Sequence, residues 1–266
     1  MTTLLSLLLA AGMAWGHDIR GDIAGDVGSS ADYIAVGVRS GAIIEQRWAD
    51  AMAPIPLGSL VKPFTALAYS GVFPEFVCKG AESRCWLAHG HGRLRFREAL
   101  AQSCNAYFLN LSREIDPGTL AVVAAKFGIA APEIDSAETR IGLGDGWRIS
   151  PLGLVHAYAE LASRVGEPRV NEILAGLELA ARSGTASAVG RGMLAKTGTA
   201  PCAERDPAHH GYATRYARSH TTDGFTVVLA PADSPRIALL VRVHGVTGAE
   251  AAKSASRILR DMRARP

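Results

Sequence analysis

The sequence predicts an α+β protein, with an α/β sandwich lobe whose antiparallel sheet is built from both chain ends, and an all-helical lobe between them. Three observations carry this expectation. β-rich runs lie near the start, within 32–48, and return from Gly192 to Val243. Between them, long stretches after Ser59 repeat apolar residues at helical spacing. The chain then closes on an amphipathic segment, Ala249 to Arg263, with Ala251, Ala252, Ala255, Ile258, Leu259 and Met262 on one face. With 266 residues, of which 48% are hydrophobic and 20% charged, the chain can bury a sizeable core.

The elements follow in order. MTTLLSLLLAAGMAWG joins an apolar run, Leu4 to Ala14, to Ala14-Trp15-Gly16, whose small residues suit a signal peptidase. A signal peptide over 1–16, cleaved after Gly16, is expected, with export to a secreted or periplasmic location. The run is too short to cross a bilayer, which takes about 20 apolar residues, and no other segment qualifies. YIAVGVRSGAIIEQRW reads as two strands around a hairpin turn at Arg39-Ser40-Gly41. Pro56-Leu57-Gly58 leads into a long helix beginning near Ser59, and Gly- and Cys-rich sequence from Phe73 to Gly92 reads as loop. FREALAQSCNAYFLNLSREI is helical from Phe96 through Leu100 and Phe108 to Leu111, Asp116-Pro117-Gly118 ends it, and more helix follows to Gly128. Ser150-Pro151 opens a further helix to about Ser163, with serine as N-cap and proline pre-set for the first turn. Leu174 to Ala188 is a weaker, Ala-rich helix. Gly192–Ala200, Gly224–Pro231 and Arg236–Val243 are three strands. The α/β lobe thus takes about 30–58 and 190–266, the helical lobe about 59–189, and a cleft falls between them.

The net charge of +3 is mild and the basic residues are scattered, apart from a run from Arg257 to Arg265 that reads as a solvated helix end. This composition excludes a nucleic-acid surface. Cysteines stand at 78, 85, 104 and 202. In an oxidising compartment Cys78 and Cys85, flanking a short Gly-containing loop, are expected to form a local disulfide, and Cys104 and Cys202 to be free buried thiols. No cysteine pair has zinc-finger spacing. His89 and His91, and the pair His209 and His210, read as loop residues and not as metal ligands.

Three short motifs stand in order: Ser59-Leu60-Val61-Lys62, Ser103-Cys104-Asn105 and Lys196-Thr197-Gly198. Their combination resembles the signature of penicillin-binding proteins and class A β-lactamases. The resemblance to penicillin-binding transpeptidase domains extends to PLGSLVKPFTA, GHGRLRFREALAQSCNAYF, IGLGDGWRISPLGLVHAYAELA, KTGTA and DGFTVVLAPADSPRIALLVRV, most of Leu57 to Val243. It implies the β-lactamase/transpeptidase-like fold, which agrees with the order of elements, and acyl transfer on peptidoglycan stem peptides ending in D-Ala-D-Ala.

The residue types suit that chemistry. A serine hydroxyl is a poor nucleophile at neutral pH and needs a base as it attacks. Lys62 follows Ser59 by one helical turn and can meet it; to serve as base it must be partly neutral, which burial and a second cation, Lys196, favour. Pro63 sits in the first turn, where a missing N–H disrupts least. By the resemblance, Ser103 relays a proton to the leaving amine, and Asn105 binds substrate amide and holds Lys62. Lys196 supplies positive potential for the substrate carboxylate, Thr197 and Thr199 hydroxyls bind it, and Gly198 lets substrate approach. The N–H groups of Ser59 and Thr199 form the oxyanion hole. Cys104, where the family often has Asp, points away from the cleft and takes no role. Glu167-Pro168-Arg169-Val170-Asn171 resembles the stretch carrying the deacylating glutamate of class A β-lactamases, but its position after the SPLGLVHAYAELA helix favours a solvated turn.

No metal or organic cofactor is needed. Stem peptides and β-lactams are the implied ligands. The sequence shows no glycosyltransferase domain, pedestal domain or membrane anchor, so a separate glycan polymerase is an expected partner. The readings kept beside transpeptidation are a serine β-lactamase or D,D-carboxypeptidase, and a non-catalytic β-lactam sensor or scaffold.

Overall fold

The computed structural model of the chain describes residues 31–202 and 222–264. The hairpin is β1 (Asp32–Gly37) and β2 (Ile43–Arg47), closed by Gly41 N–H to Gly37 O at 2.8 Å and Gly37 N–H to Ala42 O at 2.9 Å. Next come β3 (Ile55–Pro56), a 3-10 turn at Gly58–Val61, α1 (Lys62–Ala68), and a small hairpin of β4 (Phe76–Cys78) and β5 (Gly92–Leu94). Helices α2 (Phe96–Ala101), α3 (Asn105–Ser112) and α4 (Pro117–Lys126) precede β6 (Arg148–Ile149), which pairs with β3. Helices α5 (Pro151–Ser163) and α6 (Pro168–Ser183) lead to β7 (Leu194–Pro201), β8 (Thr222–Ala230), β9 (Ile237–His244) and α7 (Gly248–Ala264).

The five long strands form one antiparallel sheet in the order β2-β1-β9-β8-β7, so both ends of the described chain build it. Successive strand residues point to opposite faces, and here both faces are buried. Ile34, Val36, Val227 and Leu240 join a core with Leu154, Val155 and Tyr158 of α5. Ala35, Val228, Leu239 and Val241 pack instead on Ala251, Ala252, Ala255, Ile258 and Leu259 of α7. The fold is the mixed helix and antiparallel sheet arrangement expected. At one end of the sheet Arg242 bonds Asp32 at 2.6 Å, and His244 Nδ1 lies 2.7 Å from the fully buried Asp223. These charges sit largely out of water and are paired, which such burial demands.

Several helices differ from their expected extents. The segment after Ser59 begins as a 3-10 turn and its helix ends at Ala68, because Tyr69 turns extended with ψ 119°. The stretch FREALAQSCNAYF is two helices: Ser103 adopts φ +51°, a left-handed value unusual for a residue with a Cβ, and the chain turns there. The Phe73–Gly92 loop contains β4 and a 3-10 turn at Gly80–Ser83. Helix α6 starts at Pro168, earlier than its Ala-rich core suggested, with proline in the first turn. The Ser150 hydroxyl caps α5 by accepting from Gly153 N–H at 3.1 Å, and Asp116 caps α4 by accepting from Thr119 N–H at 2.8 Å. The expected signal peptide and the His209-His210 pair lie outside the described residues. No helix among the described residues is long and apolar enough to cross a membrane.

Candidate active site

The 3-10 turn that carries Ser59 is wedged between β7 and the helices. Gly58 has φ +58°, and a Cβ there would stand 2.4 Å from Thr199 O and 2.9 Å from Thr199 N. Only glycine allows that contact, which brings the Ser59 and Thr199 backbones together. Leu60, Val61 and Phe64 anchor the turn in the core. The Tyr158 hydroxyl donates to Leu60 O at 2.7 Å, and Thr65 Oγ1 donates to Arg140 O. Ser59 itself is partly exposed at the surface of this buried turn.

Lys62 and Lys196 are both fully buried. Lys62 Nζ donates to Ser103 O at 2.9 Å and Asn105 Oδ1 at 2.7 Å, with Ser103 Oγ at 3.4 Å. Lys196 Nζ donates to Ser103 Oγ at 2.8 Å and Thr197 O at 2.7 Å. Ser103 therefore bridges two lysines, and the two motifs on opposite sides of it meet at one hydroxyl. Loss of hydration pulls the Lys62 amine down to about 7, against an opposing upward pull from Cys104 and Cys85. Lys196 is held well below the usual lysine range by its own burial and then by the Lys62 charge. A neutral Lys62 donates two N–H bonds, to Ser103 O and Asn105 Oδ1, and keeps a lone pair. Ser59 Oγ makes no hydrogen bond to Lys62 among the described residues, and Ser103 Oγ stands at a long 3.4 Å from Lys62 Nζ.

On β7 the structure gives the motif residues other partners than the sequence suggested. At Gly198 a Cβ would stand 2.5 Å from Leu57 O and 3.0 Å from Leu60 Cγ. Its missing side chain admits the turn that carries Ser59. Thr197 Oγ1 lies 2.6 Å from Thr185 Oγ1, and Thr199 Oγ1 accepts from Gly248 N–H at 2.9 Å. Thr199 is exposed and its hydroxyl proton stays free to donate outward.

Thr185 was not singled out in the sequence. It also packs the second motif, since its N–H donates to Ala101 O at 3.1 Å. Trp86, 54% exposed, donates its indole N–H to Ser103 O at 3.3 Å. No motif spacing points to either residue. The expected Cys78–Cys85 disulfide is not formed: both are free thiols, because the loop aims each sulfur at His91 Nδ1, at 3.6 and 3.5 Å. Cys104 is buried on the same side, 3.8 Å from Cys85 Sγ. Glu167 stands at the N-cap position of α6 without a side-chain cap bond, its side chain 50% exposed and 3.7 Å from Arg164, and Asn171 Oδ1 accepts from Gly166 N–H in that turn. A groove of about 830 Å³ lined by Phe73, Phe96 and Arg169 contains none of the three motifs.

A partly exposed serine thus stands one turn before a buried lysine, which shares the Ser103 hydroxyl with a second buried lysine. Residues 52–263 match the family model for the penicillin binding protein transpeptidase domain, and the chain belongs to that family. No curated protein matches it in sequence. Solved structures with this fold include Pseudomonas aeruginosa PBP2 in complex with WCK 5153, 18% identical with a TM-score of 0.72 over 90% of this chain and 75% of that one. The transpeptidase domain of Burkholderia pseudomallei penicillin-binding protein 3 is 20% identical, with a TM-score of 0.67 over 88% of this chain and 87% of that one. Helicobacter pylori PBP2, solved with MreC, is 15% identical with a TM-score of 0.66 over 88% of this chain and 60% of that one.

Proposed function

We propose that the protein is a serine D,D-transpeptidase that cross-links peptidoglycan stem peptides ending in D-Ala-D-Ala through an acyl-enzyme on Ser59. The observation that carries this reading is the Lys62–Ser103–Lys196 chain, 3.4 and 2.8 Å across the Ser103 hydroxyl, with Lys62 one turn after Ser59. Neutral Lys62 takes the Ser59 proton as Oγ bonds the penultimate D-Ala carbonyl carbon. The oxyanion forms against the N–H groups of Ser59 and Thr199, whose segments abut at Gly58; one such donor contributes about 3–4 kcal/mol to the transition state. The proton then passes through Ser103 Oγ to the leaving D-Ala nitrogen, the C–N bond breaks, and an ester remains on Ser59. An amine of a neighbouring stem attacks that ester, and the new amide restores the serine.

The substrate's terminal carboxylate, an opposite charge that favours the protonated amine, lets Lys196 supply positive potential, with the Thr199 hydroxyl as donor. Asn105, its Oδ1 held by Lys62, offers its NH2 to the substrate amide. A β-lactam acylates the same serine. The substrate locates the protein outside the cytoplasmic membrane, and a separate glycan polymerase provides the strands.

Incubation with a D-Ala-D-Ala pentapeptide and an acceptor stem peptide tests the reading. D-Ala release with a cross-linked product, both lost in Ser59→Ala, is the expected result. Release without cross-link identifies a D,D-carboxypeptidase. No release by folded protein overturns the proposal.

A further inference from the structure

The β4–β5 hairpin and the start of α3 carry a second constellation that the acyl-transfer chemistry does not use. The Sγ atoms of Cys78, Cys85 and Cys104 and a ring nitrogen of His91 all lie within 4.8 Å of one another. The contacts are 3.6 Å from Cys78 Sγ to His91 Nδ1, 3.5 Å from Cys85 Sγ to the same nitrogen, and 3.8 Å from Cys85 Sγ to Cys104 Sγ. A tetrahedral zinc with Zn–S of about 2.3 Å and Zn–N of about 2.0–2.1 Å has S···S edges of about 3.8 Å and S···N edges of about 3.6 Å. Three of the six separations match those edges, and the other three are within 4.8 Å.

Other accounts of the cluster explain less. A disulfide requires sulfurs about 2.05 Å apart. In a hydrogen-bonded thiol cluster Nδ1, with one in-plane lone pair, accepts from only one of the two sulfurs that stand at 3.5 and 3.6 Å. His91 Nε2 is enclosed without a hydrogen-bond partner. With the ring proton on Nε2, Nδ1 presents its lone pair to the Cys78 and Cys85 sulfurs.

We propose that Cys78, Cys85, His91 and Cys104 bind one structural Zn²⁺ that pins the Ser103-Cys104-Asn105 turn. Three thiols release their protons to solvent as they ligate, and neutral His91 binds through Nδ1. Soft thiolates select zinc over magnesium or calcium, and four protein ligands leave no open position for chemistry on the metal. Cys104 stands between the two residues that hold Lys62, at the N-cap of α3, next to the left-handed Ser103. Trp86, between two ligands in the chain, packs edge-on to His91 with ring centroids 5.3 Å apart and donates to Ser103 O. Zinc thus ties the 78–91 loop to the turn that offers the Ser103 hydroxyl and Asn105 Oδ1. The metal site rests on donor geometry alone; its effect on acylation rests also on the proposed function.

Metal analysis of the reduced full chain, refilled with Zn²⁺ after chelation, tests the site. About one zinc per chain is expected. Co²⁺ in its place should give tetrahedral visible bands and a thiolate-to-cobalt charge-transfer band, and His91→Ala should lose both. If that variant does not fold, the wild-type cobalt spectrum decides. Folded reduced protein that takes up no zinc, an octahedral cobalt spectrum, or protein purified with a Cys78–Cys85 disulfide overturns the site. Stripping zinc should slow penicillin acylation about tenfold or more, and Zn²⁺ should restore it. Unchanged acylation after stripping overturns the pinning role. A zinc-loaded wild type that is never acylated refutes the proposed function and leaves the metal site standing.

Discussion

The pH dependence of acylation follows from the burial of Lys62. Its amine titrates at about 7 because folding removes its water, the dominant cause, while Cys104 and Cys85 pull the other way. Attack by Ser59 requires the neutral amine. A group titrating near 7 is neutral in about a tenth of molecules at pH 6 and about nine tenths at pH 8. The acylation rate should therefore rise about tenfold between those two values and then level off. Stability shares the same origin. The folded amine titrates below its unfolded value of 10.5, so between about 7 and 10.5 the unfolded chain binds more protons. Stability then rises with pH across that window, by at most about 1.4 kcal/mol per pH unit from this group, and the full penalty is present below 7. The assay is the initial rate of labelling by a fluorescent penicillin across pH about 5 to 10, with urea unfolding at the same points for wild type and Lys62→Met. The variant should lose labelling and flatten the stability slope, leaving the share due to Lys196. A labelling rate independent of pH, or one that begins to rise only near pH 10, would refute the reasoning.

Ser103→Ala removes the hydroxyl that joins Lys62 and Lys196 and should slow acylation by about 10²–10³ while circular dichroism stays unchanged; a rate within a factor of about three would argue against a proton relay. Gly198→Ala drives a Cβ to 2.5 Å from Leu57 O. It should cost about 1–3 kcal/mol in urea unfolding and slow acylation with it, since the displaced turn carries Ser59. Tyr158→Phe removes the donor to Leu60 O at 2.7 Å and leaves a buried carbonyl unpaired. A loss of about 1–3 kcal/mol is expected, and unchanged stability would show that the turn does not depend on that bond.

The sheet was legible in the sequence because its pattern is local: β8 and β9 are apolar runs bounded by Gly, Pro, Asp or Ser, and Arg39-Ser40-Gly41 marks the hairpin. Helix caps at Asp116 and Ser150 were equally local. The break at Ser103 was not, because the helical periodicity runs through it; the left-handed turn is imposed by what surrounds it, with Lys62 and Trp86 both donating to Ser103 O. That Gly198 packs on the Leu57 carbonyl was not legible either, because the two are distant in sequence. No local pattern marks Thr185, because its bond to Thr197 crosses from the end of α6 to β7. The cysteine cluster was hidden for the same reason. No pair of its members has zinc-finger spacing, yet the β4–β5 hairpin folds three of them back onto Cys104.

Whether Ser59 is acylated is decided by intact mass spectrometry of the full chain after incubation with benzylpenicillin, followed by peptide mapping. One penicilloyl adduct per chain, located on the peptide containing Ser59 and absent from folded Ser59→Ala, is the predicted result. Folded wild-type protein that carries no adduct, or an adduct that persists in Ser59→Ala, would contradict it.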